Sequence, residues 1–271
     1  MQLVDAKGIV LRVVNYGERD RILTIYTEEL GLITATANGS RSLKSRSLVA
    51  TEQFCYSRYV FSYKNDRYTV KEIDLIESFF DLRTDIEKLS LAGYVAEVIA
   101  HVGTENMPDV PLLRLTLNTL FAIAKQKTSL AQIKGAFEMR AAALLGFSPD
   151  LSACSECKEE GSDMVLDVMN GSVVCGKCRR ELENTLEEII EDDAHKTIRC
   201  LLTDSARAAL YYVICCPIER FLSFRLENKE DMDSFAYAAE TYLLNHLETG
   251  FKSLDYYTQL LSNDPFSSTN E

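Results

Sequence analysis

From Lys7 to about Ile76, apolar and polar positions alternate with a period of two, broken by clusters of turn residues. Residues 8–14 form the first run and Asn15-Tyr16-Gly17 its turn. The second, 21–26, is closed by 28–31; the third, 32–37, is followed by Asn38-Gly39. The fourth, 54–63, turns through 64–67 into the fifth, 68–76. No helix long enough to cross between parallel neighbours interrupts them, so the pattern predicts a small antiparallel barrel. A five-stranded Greek-key barrel of this size fits an OB-fold, and an SH3-like barrel gives much the same pattern.

After Ser78 the period becomes 3.6. Leu82, Ile86, Leu89, Val95, Ile99 and Val102 mark a first helix, with Asp81 or Ser78 as its N-cap. Pro108 and Pro111 interrupt, and 112–124 resumes the pattern. A third helix over 128–145 ends at Gly146, with Pro149 beyond it. Further helices are predicted near 180–190, 204–215, 232–248 and 253–261. The fold class is α+β: an OB-fold domain over 1–79, then an α-helical domain over 80–262 with an inserted zinc-binding β-hairpin module at 150–180. Residues 263–271 read as a disordered tail.

That module carries the strongest chemical signal. Cys154-Ser-Glu-Cys157 is followed, after seventeen residues, by Cys175-Gly-Lys-Cys178. Each C-x₂-C pair is a tight turn that aims two thiolates at one point. Between the pairs, 165–168 and 172–174 read as strands joined by a type I′ turn at Asn170-Gly171. The spacing predicts a closed Cys₄ site holding one zinc ion, with no open position for catalysis, hence structural. Two disulfides are the competing reading, disfavoured by the compartment inferred next.

Composition refines the picture. The 271 residues, 46% hydrophobic, suit one large or two ordinary domains. The first residues show no basic stretch followed by an apolar one, and no uncharged apolar run approaches the ~18 residues of a membrane span. A cytoplasmic location is expected, where eight cysteines are reduced or metal-bound. The net charge of −12 argues, taken whole, against nucleic acid. Its distribution does not. Residues 1–80 hold 11 Lys and Arg against 10 Asp and Glu, leaving 18 against 31 for the rest. The segment 30–51 has no acid and carries Arg41, Lys44 and Arg46. The acidic run 181–193 reads as a solvated helix face.

Catalytic constellations are missing. There is no G-x-x-x-x-G-K-[ST], H-E-x-x-H or G-x-S-x-G, and His101, His195 and His246 are scattered. Glu97 and His101 read as a surface helix pair, and Cys55, Cys200, Cys215 and Cys216 as small core hydrophobes. A non-enzymatic protein is expected. The barrel offers a basic stripe of Arg41, Lys44 and Arg46, with Arg21 and Arg67 as extensions, for a phosphate backbone. Tyr59, Phe61 and Tyr63 alternate onto one face, as a stacking platform or as barrel core; core is expected for at least two of them.

The residues 8–11, Tyr16-Gly-Glu-Arg-Asp20, Gly31, Asn38-Gly-Ser-Arg41 and Lys44-Ser-Arg46 resemble the N-terminal signature of RecO, the bacterial recombination mediator family. The likeness continues through 143–151 into Cys154-x-x-Cys157, and through 242–247 to Lys252-Ser253. It implies binding of single- and double-stranded DNA, annealing of complementary strands, and contact with the acidic C-terminal tail of single-strand-binding protein (SSB). It also implies a partnership with RecR in loading RecA, in the bacterial cytoplasm at the nucleoid and away from membranes. For the SSB tail, an apolar groove rimmed by cations is needed, and the third helix offers Lys134 and Arg140 near Phe137. The alternative reading is a zinc-ribbon adaptor whose barrel binds protein instead of DNA.

Overall fold

The computed structural model describes residues 2–42, 47–187 and 198–262. Lys44, Arg46, His195, residues 188–193 of the acidic run and the 263–271 tail lie outside them. Contacts group the chain into two compact units, Met1–Gln126 with Phe251–Glu271, and Lys127–Gly250.

The first unit is built on a closed barrel of β1 (Gln2–Tyr16), β2 (Asp20–Thr27), β3 (Gly31–Ala37), β4 (Tyr56–Lys64) and β5 (Arg67–Glu77), in the order β1-β2-β3-β5-β4 with β4 returning to β1. Only the β3–β5 pairing is parallel, Ala35 opposite Tyr68. This is the OB-fold order, and it removes the SH3-like alternative. β1 runs much longer than its alternation predicts because it serves two neighbours. Gln2 to Ile9 pair with β4, and Gly8 to Tyr16 with β2. A bulge at Leu11 shifts the register within the β1–β2 pairing and bends the strand around the barrel. Inside lie Ala6, Val10, Leu23, Ile25, Ile33, Ala35, Ala37, Tyr59 and Phe61. Tyr59 and Phe61 stack 5.1 Å apart at 0% exposure, so these two rings are core.

A 3₁₀ turn, Phe80–Thr84, intervenes before α1 (Ile86–Val102). The N-cap is Asp85, whose carboxylate accepts the N–H of Glu87 at 2.8 Å and of Lys88 at 3.1 Å; neither Asp81 nor Ser78 takes that place. The cause is Phe79, left-handed at φ 46°, which turns the chain so that Leu82 is buried in the 3₁₀ segment. Pro111 does not interrupt α2 (Val110–Lys125). It sits in the first turn behind the Asp109 cap, where no N–H is needed. α7 (Lys252–Ser262) packs on α1, and the Glu97 carboxylate of α1 accepts the Ser253 N–H at 3.0 Å and its hydroxyl. Glu97 thus caps a neighbouring helix instead of pairing with His101 on the surface.

In the second unit α3 (Leu130–Leu144) starts at the Ser129 cap and ends before Gly146, at φ +93°. A four-stranded sheet follows in the order β6 (Asp150–Cys154), β8 (Ser172–Val174), β7 (Val165–Asp167), β9 (Arg199–Leu201). Its outer strands were not legible as strands, being short and next to stronger signals. The β7–β8 hairpin is not closed by a two-residue type I′ turn. Asp167 pairs with Ser172, leaving a four-residue loop in which Gly171 alone has positive φ, at +60°. Asp167 accounts for this by accepting both the backbone N–H and the side-chain amide of Asn170. The helices α4 (Gly176–Glu187), α5 (Asp204–Cys215) and α6 (Lys229–Leu247) complete the unit. No helix among the described residues is long and apolar enough to cross a membrane.

Candidate nucleic-acid interface and metal centre

The two C-x₂-C turns are brought together by the sheet between them. β6 delivers Cys154, and the Ser155 N–H donates to Val173 O of β8 at 2.8 Å, tying the first turn to the strand that leads to the second. The sulfurs of Cys154, Cys157, Cys175 and Cys178 all lie within 4.8 Å of one another, with Cys157 and Cys175 at 3.9 Å. A tetrahedron with metal–sulfur bonds of about 2.3 Å has edges of about 3.8 Å. A disulfide would need about 2.0 Å, and all four cysteines are free. Backbone N–H groups point at the sulfurs, Cys175 to Cys154 at 3.3 Å and Cys178 to Cys175 at 3.5 Å. Burial pushes the Cys154 thiol up, but the N–H groups of Cys175, Cys157 and Glu156 outweigh it and hold the thiol at about 6. Cys178 is pushed up to about 12, first by its hydrogen bond to Cys175, then by burial and by the other sulfurs. One thiolate forms readily and a full set needs a cation among them. These four cysteines can hold a metal ion.

On the barrel, the alternation that buries Leu23, Ile33, Ala35 and Val13 sends their neighbours outward. Arg12, Val14 and Tyr16 of β1 are exposed; beside them lie Ile22 and Thr24 of β2, then Thr34 and Thr36 of β3. The register lines up Arg12, Thr24 and Thr34 in one row and Val14, Ile22 and Thr36 in the next, with Thr69 of β5 beyond Thr36. This part of the face holds no carboxylate. Acids return at Asp20 of β2, opposite Tyr16, and further along β5 at Glu72 and Asp74, next to the Arg58–Asp5 ion pair of 2.6 Å.

Loops frame that face with cations. Arg41, just after β3, reaches the β1–β2 turn, its N–H donating to Arg19 O and its guanidinium to Gly17 O, both at 3.0 Å. Arg41 and the exposed Arg19 are therefore neighbours. Arg67 is exposed at the two-residue β4–β5 turn, where Asn65 and Asp66 have positive φ. The parallel β3–β5 pairing sets Tyr68, just after this turn, opposite Ala35 of β3. Arg21 does not join the stripe. It is 8% exposed, and its guanidinium donates to Leu48 O at 2.9 Å and Thr51 Oγ1 at 2.7 Å and pairs with Glu52 at 2.6 Å. It anchors the returning half of the β3–β4 loop. Tyr63 is half-buried, donating its hydroxyl to Asp66 and lying 4.7 Å from the Tyr68 ring. Arg12, Tyr16 and Arg19 were missed in the sequence because the apolar run 9–14 surrounds Arg12 and hides the alternation that the Leu11 bulge restores.

The α3 residues offered for an SSB-tail groove face inward instead. Lys134 is 6% exposed and bound by Glu138 at 2.8 Å and Glu240 of α6 at 2.5 Å; Phe137 is fully buried. Burial alone would lower the Lys134 ammonium, but the two carboxylates outweigh it and hold it raised. Arg140 donates to Val213 O and Ile214 O at the carboxyl end of α5. The trio joins α3 to α5 and α6, because the face that carries Phe137 is the one that packs.

The family described as Recombination protein O N terminal matches residues 1–79, and Recombination protein O C terminal matches 83–255. The chain belongs to the RecO family. A DNA repair protein RecO of Acetivibrio thermocellus is 31% identical over 261 residues, covering 96% of this chain and 98% of the relative. That of Pelotomaculum thermopropionicum is 32% identical over 246 residues, covering 88% and 94%. That of Caldanaerobacter subterraneus subsp. tengcongensis is 24% identical, covering 96% and 99%. The RecO family is one of DNA-repair proteins, so the barrel face and the cysteine cluster belong to a repair protein.

Proposed function

We propose that this RecO-family chain is a non-enzymatic recombination mediator that binds single- and double-stranded DNA across the outer face of its barrel. The observation that carries the reading is the two cross-strand rows Arg12–Thr24–Thr34 and Val14–Ile22–Thr36, which hold no carboxylate, with Arg19, Arg41 and Arg67 in the flanking turns and loop, in a chain of net charge −12. In such a protein a phosphate backbone meets its most favourable potential there, and hydroxyl rows offer hydrogen bonds that do not depend on base identity. Lys44 and Arg46, outside the described residues, follow Arg41 in the sequence and add to its charge. Bound strands held by backbone charge leave base edges free, which suits annealing. Mediation then follows from partnership: remodelling of SSB through its C-terminal tail, and RecA loading with RecR, in the bacterial cytoplasm at the nucleoid. The four cysteines hold one structural zinc ion, whose thiolate set and edge length they fit. The ion fixes the two turns to the sheet and takes no part in chemistry.

Fluorescence anisotropy of a labelled oligonucleotide at two salt concentrations tests the reading. Binding that weakens with salt is expected, because only phosphate contacts release counterions. Salt-independent binding, or none, favours a barrel that docks protein.

A further inference from the structure

Tyr16 stands out on the barrel face. It is 61% exposed, and it closes the exposed β1 row of Arg12, Val14 and Tyr16 where the β1–β2 turn begins. Two other rings that the sequence placed on the barrel, Tyr59 and Phe61, are fully buried, and Tyr63 and Tyr68 are half-covered and lie against each other. Cations surround the Tyr16 position. Arg12 lies four residues before it in the same row, Arg19 is in the turn it opens, and Arg41 is hydrogen-bonded across that turn. Its cross-strand partner Asp20 accepts the Gly39 N–H at 2.8 Å through Oδ1, and Glu18 is exposed in the same turn beside Arg19.

We propose that Tyr16 is a base-stacking residue that makes this face favour unpaired DNA over duplex. An exposed phenol ring beside guanidiniums can stack an unpaired base while they meet its phosphates, whereas duplex bases are already stacked on one another. The guanidiniums serve both forms; the ring serves only one. The inference rests on the barrel being the DNA surface.

The full chain, its Tyr16→Ala variant and its Tyr16→Phe variant are titrated into a labelled oligothymidylate and into a labelled hairpin duplex. Tyr16→Ala should weaken binding to the unpaired strand by on the order of ten-fold with the salt slope unchanged, and duplex binding by less than about two-fold. Tyr16→Phe, which keeps the ring, should match the parent. Photo-crosslinking of an iodouracil-containing strand to the parent, with the adduct mapped by mass spectrometry, should mark Tyr16 and does not depend on any variant folding. Equal losses on both forms, or parent-like binding of the unpaired strand by Tyr16→Ala, overturns the role of Tyr16 alone. A parent that binds neither form overturns the barrel reading with it.

Discussion

Replacing Arg21 with methionine tests whether the interior network of the barrel loop is a stabilising one. The guanidinium makes two hydrogen bonds to buried or half-buried acceptors, Thr51 Oγ1 and Leu48 O, and one ion pair with Glu52. Hydrogen bonds from a charged donor contribute about 1.5–3 kcal/mol each, so the two amount to roughly 3–6 kcal/mol. The ion pair adds little, under about 1 kcal/mol, because the Glu52 side chain is 44% exposed and regains water when released. Two effects reduce the sum. Arg21 Nε is buried without a partner, and Thr51 Oγ1 keeps its own donation to Ser47 O at 2.8 Å. A net loss of about 2–4 kcal/mol follows, which in a chain of this size lowers Tm by roughly 5–10 °C. Thermal unfolding followed by circular dichroism measures it. Arg21→Lys should recover less than half, since an ammonium cannot span three acceptors. An Arg21→Met protein melting within about 1 °C of the parent would refute the reasoning.

Two further outcomes are expected. Protein purified without chelator should contain one zinc per chain, and Cys154→Ser should lower the metal content and destabilise the helical unit, since binding free energy at such sites is folding free energy; a metal-free parent with reduced thiols contradicts this. Gly135→Ala should cost about 1–2 kcal/mol despite alanine's better helix propensity, because the added methyl would sit 2.6 Å from the buried Phe235 ring where α3 meets α6; an unchanged melting curve would show that the helices yield freely.

The cysteine spacing and the barrel strands could be read in the sequence because both are local: a C-x₂-C turn and a period-two run carry their geometry with them. The OB order rests on the parallel Ala35–Tyr68 pairing, which no local pattern encodes. Lys134 shows the limit at the level of a site. Its spacing from Phe137 put both on one face of α3, which is right. Whether that face is open or packed depends on Glu240, over a hundred residues away, which closes the ion pair. Arg21 follows the same logic, since its three partners come from 48–52 across the barrel. The face proposed for DNA could be drawn only once the strand register lined up Arg12, Thr24 and Thr34 and the Arg41 loop met the turn after Tyr16.

The salt dependence of DNA binding bears most directly on the barrel as the nucleic-acid surface. Arg12, Arg41 and Arg67 come from β1, the loop after β3 and the β4–β5 turn, and none of them lies in the barrel core. Each that meets a phosphate contributes about 0.7 to the log–log salt slope for a single strand. Changing all three to glutamate should flatten that slope by about 2 and weaken binding to every oligonucleotide alike, with the metal content and melting temperature of the parent. A triple variant that keeps the parent's slope and affinity would mean that the strands run over another face.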